Sequence, residues 1–253
     1  MILYAASIFV SAFLLFLVEP ILGKYILPWF GGGPTVWTTC LLFFQVLLLC
    51  GYAYSHFLST RLTPRRQGWV HFFLLATTIA FLPITPAEKW RPLVASVPTW
   101  QILGLLSVSV GACFFLLSST APLLQFWFSR TWPDSSPYKL YALSNIGSLA
   151  AIGSYPFLIE PTLGLGLQTR VWSYGYVIFA VLCASCGFRL MRRGLAERNA
   201  LSPETTTNAS DPIRAVPTAA ERVLWLVLPA LSSVLLLATT NQMCLDAAPI
   251  PLL

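Results

Sequence analysis

Long apolar runs constrain this chain more than any other feature of its sequence. A helix needs about 20 apolar residues to cross about 30 Å of hydrocarbon at a rise of about 1.5 Å per residue. Seven segments reach or approach this length: residues 2–18 with a continuation past Pro20, 36–57, 68–84, 100–128, 138–159, 171–188 and 223–240. The sequence therefore predicts an all-α, polytopic transmembrane helix bundle of about seven spans, with the lipid bilayer as its main partner.

The scarcity of charged residues supports the same prediction. Charged residues make up 9% of the 253-residue chain and hydrophobic residues 57%, whereas an ordinary soluble domain carries about 25% charged residues. A soluble domain with this composition would lack the polar residues that cover a water-exposed surface. The sequence thus indicates an integral, multi-pass membrane protein.

The distribution of basic residues predicts an orientation. With the N-terminus inside, only Lys24, Lys89, Arg91 and Arg170 of the 15 Lys and Arg residues lie on the outer side. Inner loops of membrane proteins carry the excess of Lys and Arg, so this orientation is favoured over its inverse. The basic residues fall in short clusters between apolar runs, a pattern that favours inner loops over nucleic-acid binding.

A polar segment divides the chain into unequal parts. Residues 189–222 are rich in charge, Ser, Thr and Pro and lack apolar periodicity, which predicts a mobile cytoplasmic linker. It separates a six-span membrane domain, 1–188, from a seventh span and a truncated C-terminal segment, 223–253. The sequence TAAE, from Thr218 to Glu221, matches a capping box and predicts the start of the last helix.

No motif in the chain is typical of an enzyme. The glycine-rich FGGGPTVW, residues 30–37, lies between two predicted spans and lacks the spacing of a nucleotide-binding loop, so a tight turn is favoured. His56 and His71 are the only two histidines, and neither has a carboxylate nearby in sequence, so packing or interfacial positions are favoured. We predict no catalytic residues, no metal site and no cofactor.

One short acidic motif occurs twice. FLVEPILG, residues 16–23, recurs as FLIEPTLG, residues 157–164, and each copy is followed by a Val-Trp pair, at 36–37 and 171–172. This pattern suggests a diverged, parallel duplication of a two-span unit, as is common in transporters. Proline removes a backbone donor, so we expect a kink or helix break at each site, near the outer end of its span.

Four residues are candidates for binding an ion or a substrate: Glu19, Lys24, Asn145 and Glu160. An ionisable side chain close to lipid is costly and is by default a functional-site hypothesis, and Asn145 belongs to a face of small and polar residues in the fifth span. Two alternatives stay open. The first is that the two glutamates mark the outer water interface, and the second is that the small face serves helix packing.

Three stretches carry a resemblance to a known family: FLVEPILGKYILPWFGGGPTVWTTCLLFFQVLLLCGYAYSH, LYALSNIGSLAAIGSYPFLIEPTLGL and LPALSSVLLLATTNQMC. They resemble the membrane region of bacterial fused proteins that join a major-facilitator-like part to a spermidine-synthase-like domain, and some of these relatives are labelled ferrichrome permeases. The resemblance implies a location in the bacterial inner (plasma) membrane. It also implies a soluble synthase-like domain or downstream polypeptide as a partner.

The chain departs from that family in two respects. It ends before the further spans and the soluble domain, so we expect a truncated or split protein without aminopropyl transfer. The loop after the second span has Arg65 and Arg66 but lacks the Gly and Asp of the facilitator pattern G-x-x-x-D-R.

Three functions therefore stay open. The chain is the non-catalytic membrane part of such a fused protein, a major-facilitator-like transporter of a small solute, with a cation as one candidate, or a membrane scaffold that docks a separate soluble enzyme.

Overall fold

A computed structural model describes residues 1–31, 34–91, 99–132, 138–200 and 218–247, and every regular element in these ranges is helical. A short 3₁₀ turn covers Glu88–Trp90. The seven longer helices are α1, Ile2–Phe30; α2, Pro34–Arg61; α3, Pro64–Ile79; α4, Thr99–Thr131; α5, Tyr138–Thr162; α6, Leu165–Ala200; and α7, Ala219–Ala247. The predicted all-α class is confirmed.

Five helices of the described residues are long and apolar enough to cross a membrane, namely α1, α2, α4, α5 and α6. This is compatible with an integral membrane protein. Helix α3, predicted as a span over 68–84, has 16 residues and ends at Ile79, which at about 1.5 Å per residue is about 24 Å. The predicted seventh span, 223–240, corresponds to α7, in which several side chains lie outside the described residues.

Helix α1 packs in parallel against α5 at very short range. A Cβ at Gly147 would lie 2.7 Å from the carbonyl oxygen of Phe9, so only glycine permits this approach. Further toward the C-terminal ends of both helices, the Tyr155 hydroxyl donates to the carbonyl oxygen of Pro20 at 3.4 Å. Gly147 and Ala151 are buried in this contact, which is the close packing that small residues provide between membrane helices.

Helix α6 packs against α1 in the opposite direction. The indole Nε1 of Trp172 donates to the carbonyl oxygen of Leu14 at 2.9 Å, and the Tyr4 hydroxyl donates to the carbonyl oxygen of Cys186 at 3.5 Å. Trp172 is 1% exposed and Tyr4 is fully buried. Helix α1 is therefore the central helix, enclosed by α4, α5 and α6.

Helices α2 and α4 run in parallel and are joined by serine hydroxyls. Ser55 Oγ donates to the carbonyl oxygen of Ser119 at 2.7 Å, and Ser118 Oγ donates to the carbonyl oxygen of Leu47 at 3.3 Å. Lipid chains are as apolar as the side chains between helices, so tight packing and interhelical hydrogen bonds of this kind hold a membrane bundle together.

Helix α3 buries a polar face against α2 and α4. Trp127 Nε1 donates to Gln67 Oε1 at 2.8 Å, and His71 Nδ1 lies 3.2 Å from the Tyr54 hydroxyl. His71 is 1% exposed and its ring meets that of Trp127 edge to face. The predicted packing position is confirmed for His71, whereas His56 is exposed.

After α3 the chain stays in contact with α6 although it is no longer helical. Ile84 is fully buried, and Thr85 Oγ1 lies 2.7 Å from Thr169 Oγ1. Within α3 itself, Thr78 Oγ1 lies 2.8 Å from the Tyr176 hydroxyl. The segment beyond α3 is thus fixed by protein contacts.

The two Glu-Pro sites differ in their backbone. Helix α1 continues through Pro20 to Phe30, so it does not break there, and the alternative, a kink at Pro20, stays a prediction. Membrane helices tolerate an internal proline where neighbouring helices keep them packed. In α5 a π-helical turn, Tyr155–Ile159, precedes the second site and the helix ends at Thr162, directly after Pro161, so the break predicted there is confirmed.

The structure divides into two compact units, Met1–Ser202 and Pro203–Leu253. In the second unit the predicted capping box is confirmed. The backbone N–H of Thr218 donates to Glu221 Oε2 at 2.7 Å, and the backbone N–H of Glu221 donates to Thr218 Oγ1 at 3.3 Å.

The predicted linker, 189–222, is helical in its first part because α6 continues to Ala200. Residues 201–217 of that prediction lie outside the described residues.

Candidate functional site

Glu19 lies near the middle of α1. The helix has 29 residues and its midpoint is Phe16, so Glu19 is three residues, or about 4.5 Å, beyond the midpoint. The sequence placed Glu19 at the end of a span because the apolar run stops at Val18, where the Glu-Pro pair follows. The helix continues to Phe30, so Glu19 does not lie at the helix end, and its depth in the membrane stays a prediction.

Glu19 lines a cavity of about 250 Å³, called here the Glu19 cavity. Its walls come from α1, α2, α4 and α5, and it is partly open to the outside of the bundle, since Phe16, Leu41 and Tyr52 of its lining are 37%, 47% and 49% exposed. Besides Glu19, the polar side chains of its lining include Ser11, Gln45, Tyr52, Ser118, Ser144 and Ser148. Among the described lining residues, Glu19 is the one that carries a charge.

Glu19 has no ion-pair partner within the described part of the chain. The salt bridge found there joins Lys24 Nζ to Glu160 Oε1 instead. A carboxylate removed from water is costly unless hydrogen-bond donors or a cation accompany it. The amide of Gln45 and the hydroxyls of Tyr52 and Ser144 can supply donors around the cavity, whereas three lining serines already donate to backbone carbonyl oxygens, namely Ser11, Ser118 and Ser148. A cation would have to come from outside the described residues.

Asn145 lines a second cavity, of about 630 Å³, called here the Asn145 cavity. It shares a wall with the Glu19 cavity, because five residues line both: Phe16, Tyr52, Ala121, Ser144 and Ser148. Gln125 and Tyr141 add further polar groups, and no described lining residue is charged. Two residues of the small face predicted in α5, Gly147 and Ala151, pack on α1. Asn145 belongs to the same predicted face, but it points away from that contact and is exposed.

Lys24 and Glu160 occupy a different position. They form an ion pair between α1 and the end of α5, with 41% and 38% of their side chains exposed. Neither residue lines the Glu19 or the Asn145 cavity. The four candidate residues therefore fall into two groups, with Glu19 and Asn145 on adjoining cavities and Lys24 paired with Glu160.

Sequence reasoning missed Gln45, which lines the Glu19 cavity from α2. A signal was available, since Gln45 is the single strongly polar residue in CLLFFQVLLLC, residues 40–50. A polar residue in the middle of a membrane helix faces protein or water more often than lipid. The same argument that selected Glu19 would have selected Gln45.

Among the described residues, no group of three or more His, Cys, Asp or Glu side chains lies close enough to hold a metal ion. The Glu19 cavity contributes a single carboxylate, whereas protein sites for hard cations supply several oxygen ligands. The arrangement suits recognition of an organic cation by one carboxylate, hydroxyls and aromatic rings.

Comparison with protein-family models, with curated proteins and with solved structures finds no match for this chain.

Proposed function

We propose that this chain is an integral protein of the bacterial inner membrane, with its N-terminus in the cytoplasm, that binds and transports a small cationic solute through the Glu19 cavity. The observation that carries the proposal is a carboxylate near the middle of the central helix that lines a partly open cavity between four helices and has no cationic side chain as its partner among the described residues. Substrate sites of secondary transporters lie near the bilayer midplane between helices.

The contrast with Glu160 supports a binding role for Glu19. Glu160 pairs with Lys24 near the end of its helix, where both side chains are partly exposed. A carboxylate with a purely structural role would be expected to have such a partner, because an isolated charge in hydrocarbon is unfavourable. Glu19 instead lines a cavity of about 250 Å³, which is about eight times the volume of about 30 Å³ that one water molecule occupies in the liquid.

The proposal agrees with the major-facilitator-like part of the family resemblance and assigns no catalysis to this chain. Within the family, a soluble synthase-like domain or a downstream polypeptide would then be a partner that supplies or consumes the transported solute. The scaffold hypothesis predicts such a partner without transport, so a transport measurement separates the two.

Uptake into proteoliposomes tests the proposal. Purified protein is reconstituted and the uptake of radiolabelled guanidinium and tetramethylammonium, both charged at neutral pH, is measured separately. We expect saturable uptake of at least one cation, and a loss of at least about tenfold in the Glu19→Gln variant, because the neutral amide removes the charge that offsets the cation's desolvation.

The matched control is Glu160→Gln, the same change in the second copy of the motif. We expect its uptake to stay within about twofold of the unchanged protein, since Glu160 lines neither cavity. Uptake of neither cation, or equal uptake by the Glu19→Gln variant, would contradict the proposal.

A further inference from the structure

We propose that the Glu19 cavity binds the methylated ammonium group of an organic monocation whose uncharged, hydrogen-bonding tail extends into the Asn145 cavity. This inference rests on the proposed function and names the substrate class of the same site.

Aromatic rings make the Glu19 cavity suitable for a methylated ammonium group. Phe16, Phe44, Tyr52 and Phe114 line it together with the carboxylate, and the rings of Phe44 and Phe114 lie with centroids 4.9 Å apart at 49°. Ring faces attract a cation within about 6 Å of their centroids, and aromatic cages are the usual way in which proteins recognise quaternary ammonium groups. A single carboxylate then balances the single positive charge.

The Asn145 cavity restricts the rest of the ligand to a neutral group. No described residue that lines it is charged, so a second ammonium group would find no acid there and a carboxylate would find no base. This cavity is open to the outside of the bundle, with Tyr141 60% and Leu149 69% exposed, so either charge would lie unpaired beside hydrocarbon, which is unfavourable. Gln125 and Asn145 offer amide groups and Tyr52 and Tyr141 offer hydroxyls, which suit a hydroxyl, amide or carbamate in the tail.

One molecule can occupy both cavities because a polar stripe of α5 runs along them. Tyr141 and Asn145 are four residues apart, as are Ser144 and Ser148, and the two pairs are offset by three residues, which places all four on one side of the helix. Ser144 and Ser148 belong to both cavities, whereas Tyr141 and Asn145 belong to the second alone. The stripe therefore leads from the carboxylate to the neutral end of the site.

A free solute is favoured over the headgroup of a choline lipid, although both carry the same cation. In a choline lipid a phosphate ester follows the ammonium nitrogen after two methylene carbons, and a phosphate needs Lys, Arg or several N–H donors. None of the described residues that line the Asn145 cavity is basic. Glycerophosphocholine, which carries this phosphate without the lipid chains, separates the two sources in solution.

Isothermal titration calorimetry on the full chain in nanodiscs without choline lipids tests the inference. The probes are tetramethylammonium as the head alone, carbamoylcholine as a head with a neutral tail, hexamethonium as a dication and glycerophosphocholine as a head with a phosphate. We expect carbamoylcholine to bind at least about tenfold more tightly than tetramethylammonium, equivalent to about 1.4 kcal/mol. Hexamethonium and glycerophosphocholine should bind no more tightly than tetramethylammonium.

Two variants assign the two parts of the site. Phe44→Leu keeps an apolar side chain but removes a ring, so it should weaken tetramethylammonium at least about fivefold relative to guanidinium. Asn145→Ala should reduce the preference for carbamoylcholine over tetramethylammonium to about twofold or less without changing the affinity for tetramethylammonium. The control is Ile146→Ala, the next residue of α5, which is 55% exposed and should leave all affinities unchanged.

The outcomes separate this inference from the proposed function. Cation binding that depends on Glu19, but without a preference for carbamoylcholine or an effect of Phe44→Leu, would overturn the inference and leave the proposed function standing. Tighter binding of hexamethonium would overturn the neutral tail, and tighter binding of glycerophosphocholine would favour a lipid headgroup. Binding that is unaffected by Glu19→Gln would overturn both.

Discussion

The two copies of the Glu-Pro motif have nearly the same sequence but opposite surroundings. Leu17 in the first copy is 6% exposed, whereas Leu158 in the second is 61% exposed. Glu19 lies near the middle of its helix and lines a cavity between four helices, whereas Glu160 pairs with Lys24 where its helix ends. The motif therefore does not determine the role of its carboxylate.

The difference comes from the neighbours of each helix. Helix α1 is enclosed by α4, α5 and α6, whereas α5 packs mainly on α1 and exposes its other faces. Gly23, which ends the first copy, lies against Trp37, and a Cβ there would be 3.6 Å from the ring. Gly164, which ends the second copy, has nothing within 4 Å. Sequence similarity of two segments thus says less about their function than the number of helices around them.

The following Val-Trp pairs also differ. Trp37 is 43% exposed, whereas Trp172 is 1% exposed and donates to Leu14 of the central helix. If a two-span unit was duplicated, its second copy now packs on α1 in a way that the first copy cannot, since α1 belongs to the first copy. A parallel internal repeat remains a prediction from the sequence.

The largest expected difference between the two copies concerns stability. Leu17→Ala should lower the free energy of unfolding by about 2 kcal/mol or more, because it leaves a void in a packed site. Leu158→Ala removes the same atoms from an exposed position and should cost less than about 1 kcal/mol. Titration of both variants with SDS in mixed micelles measures this, and equal losses would show that the two copies are buried alike.

Thiol labelling compares the accessibility of the two carboxylate positions. In a background without native cysteines, Glu160→Cys should react with a membrane-impermeant thiol reagent added from outside at least about tenfold faster than Glu19→Cys, because Glu19 lies near mid-helix and lines a cavity between four helices. The sequence alone suggested rates within about tenfold, since it placed both residues at the outer interface. Labelling of Glu160→Cys only from inside would contradict the proposed orientation.

The smallest effect is expected from the ion pair of the second copy. A double-mutant cycle with Lys24→Met and Glu160→Gln should give a coupling energy of about 1 kcal/mol or less, because both side chains are about 40% exposed and exposed pairs are weak. The unfolding free energies of the two single variants and the double variant provide the measurement. A coupling above about 2 kcal/mol would mean that Glu160, like Glu19, is shielded from solvent.

The helices themselves could be predicted from the sequence because each apolar run is long and its polar boundaries are clear. The end of α1 could not be predicted in this way. Glu19, Pro20, Lys24 and Pro28 all indicate an ending in the sequence, yet the helix continues to Phe30. Ile21, Leu22 and Ile26 are buried in the bundle, and this tertiary packing outweighs the local signals.

The candidate site was predictable only in part. Glu19 and Asn145 stand out as polar residues in apolar runs, and the structure brings them to adjoining cavities. The aromatic residues Phe44 and Phe114 could not be selected, because α2 and α4 are apolar on all sides and show no stripe that would tell a lipid-facing ring from a buried one. Which rings meet Glu19 depends on helix packing that a single sequence does not specify.

The short helix α3 has a consequence for the membrane around this protein. Its helical part spans about 24 Å, several ångströms less than the hydrocarbon thickness of about 30 Å that its longer neighbours can match. The residues beyond it have backbone groups outside any helix, which are tolerated only where protein or water covers them. In a seven-span topology, which stays a prediction for α3, lipid beside Trp69 and Phe73, two exposed aromatic residues of α3, would thin locally, at fractions of a kcal/mol per Å of hydrophobic mismatch. The thickness of the surrounding bilayer would then influence the stability of this side of the bundle.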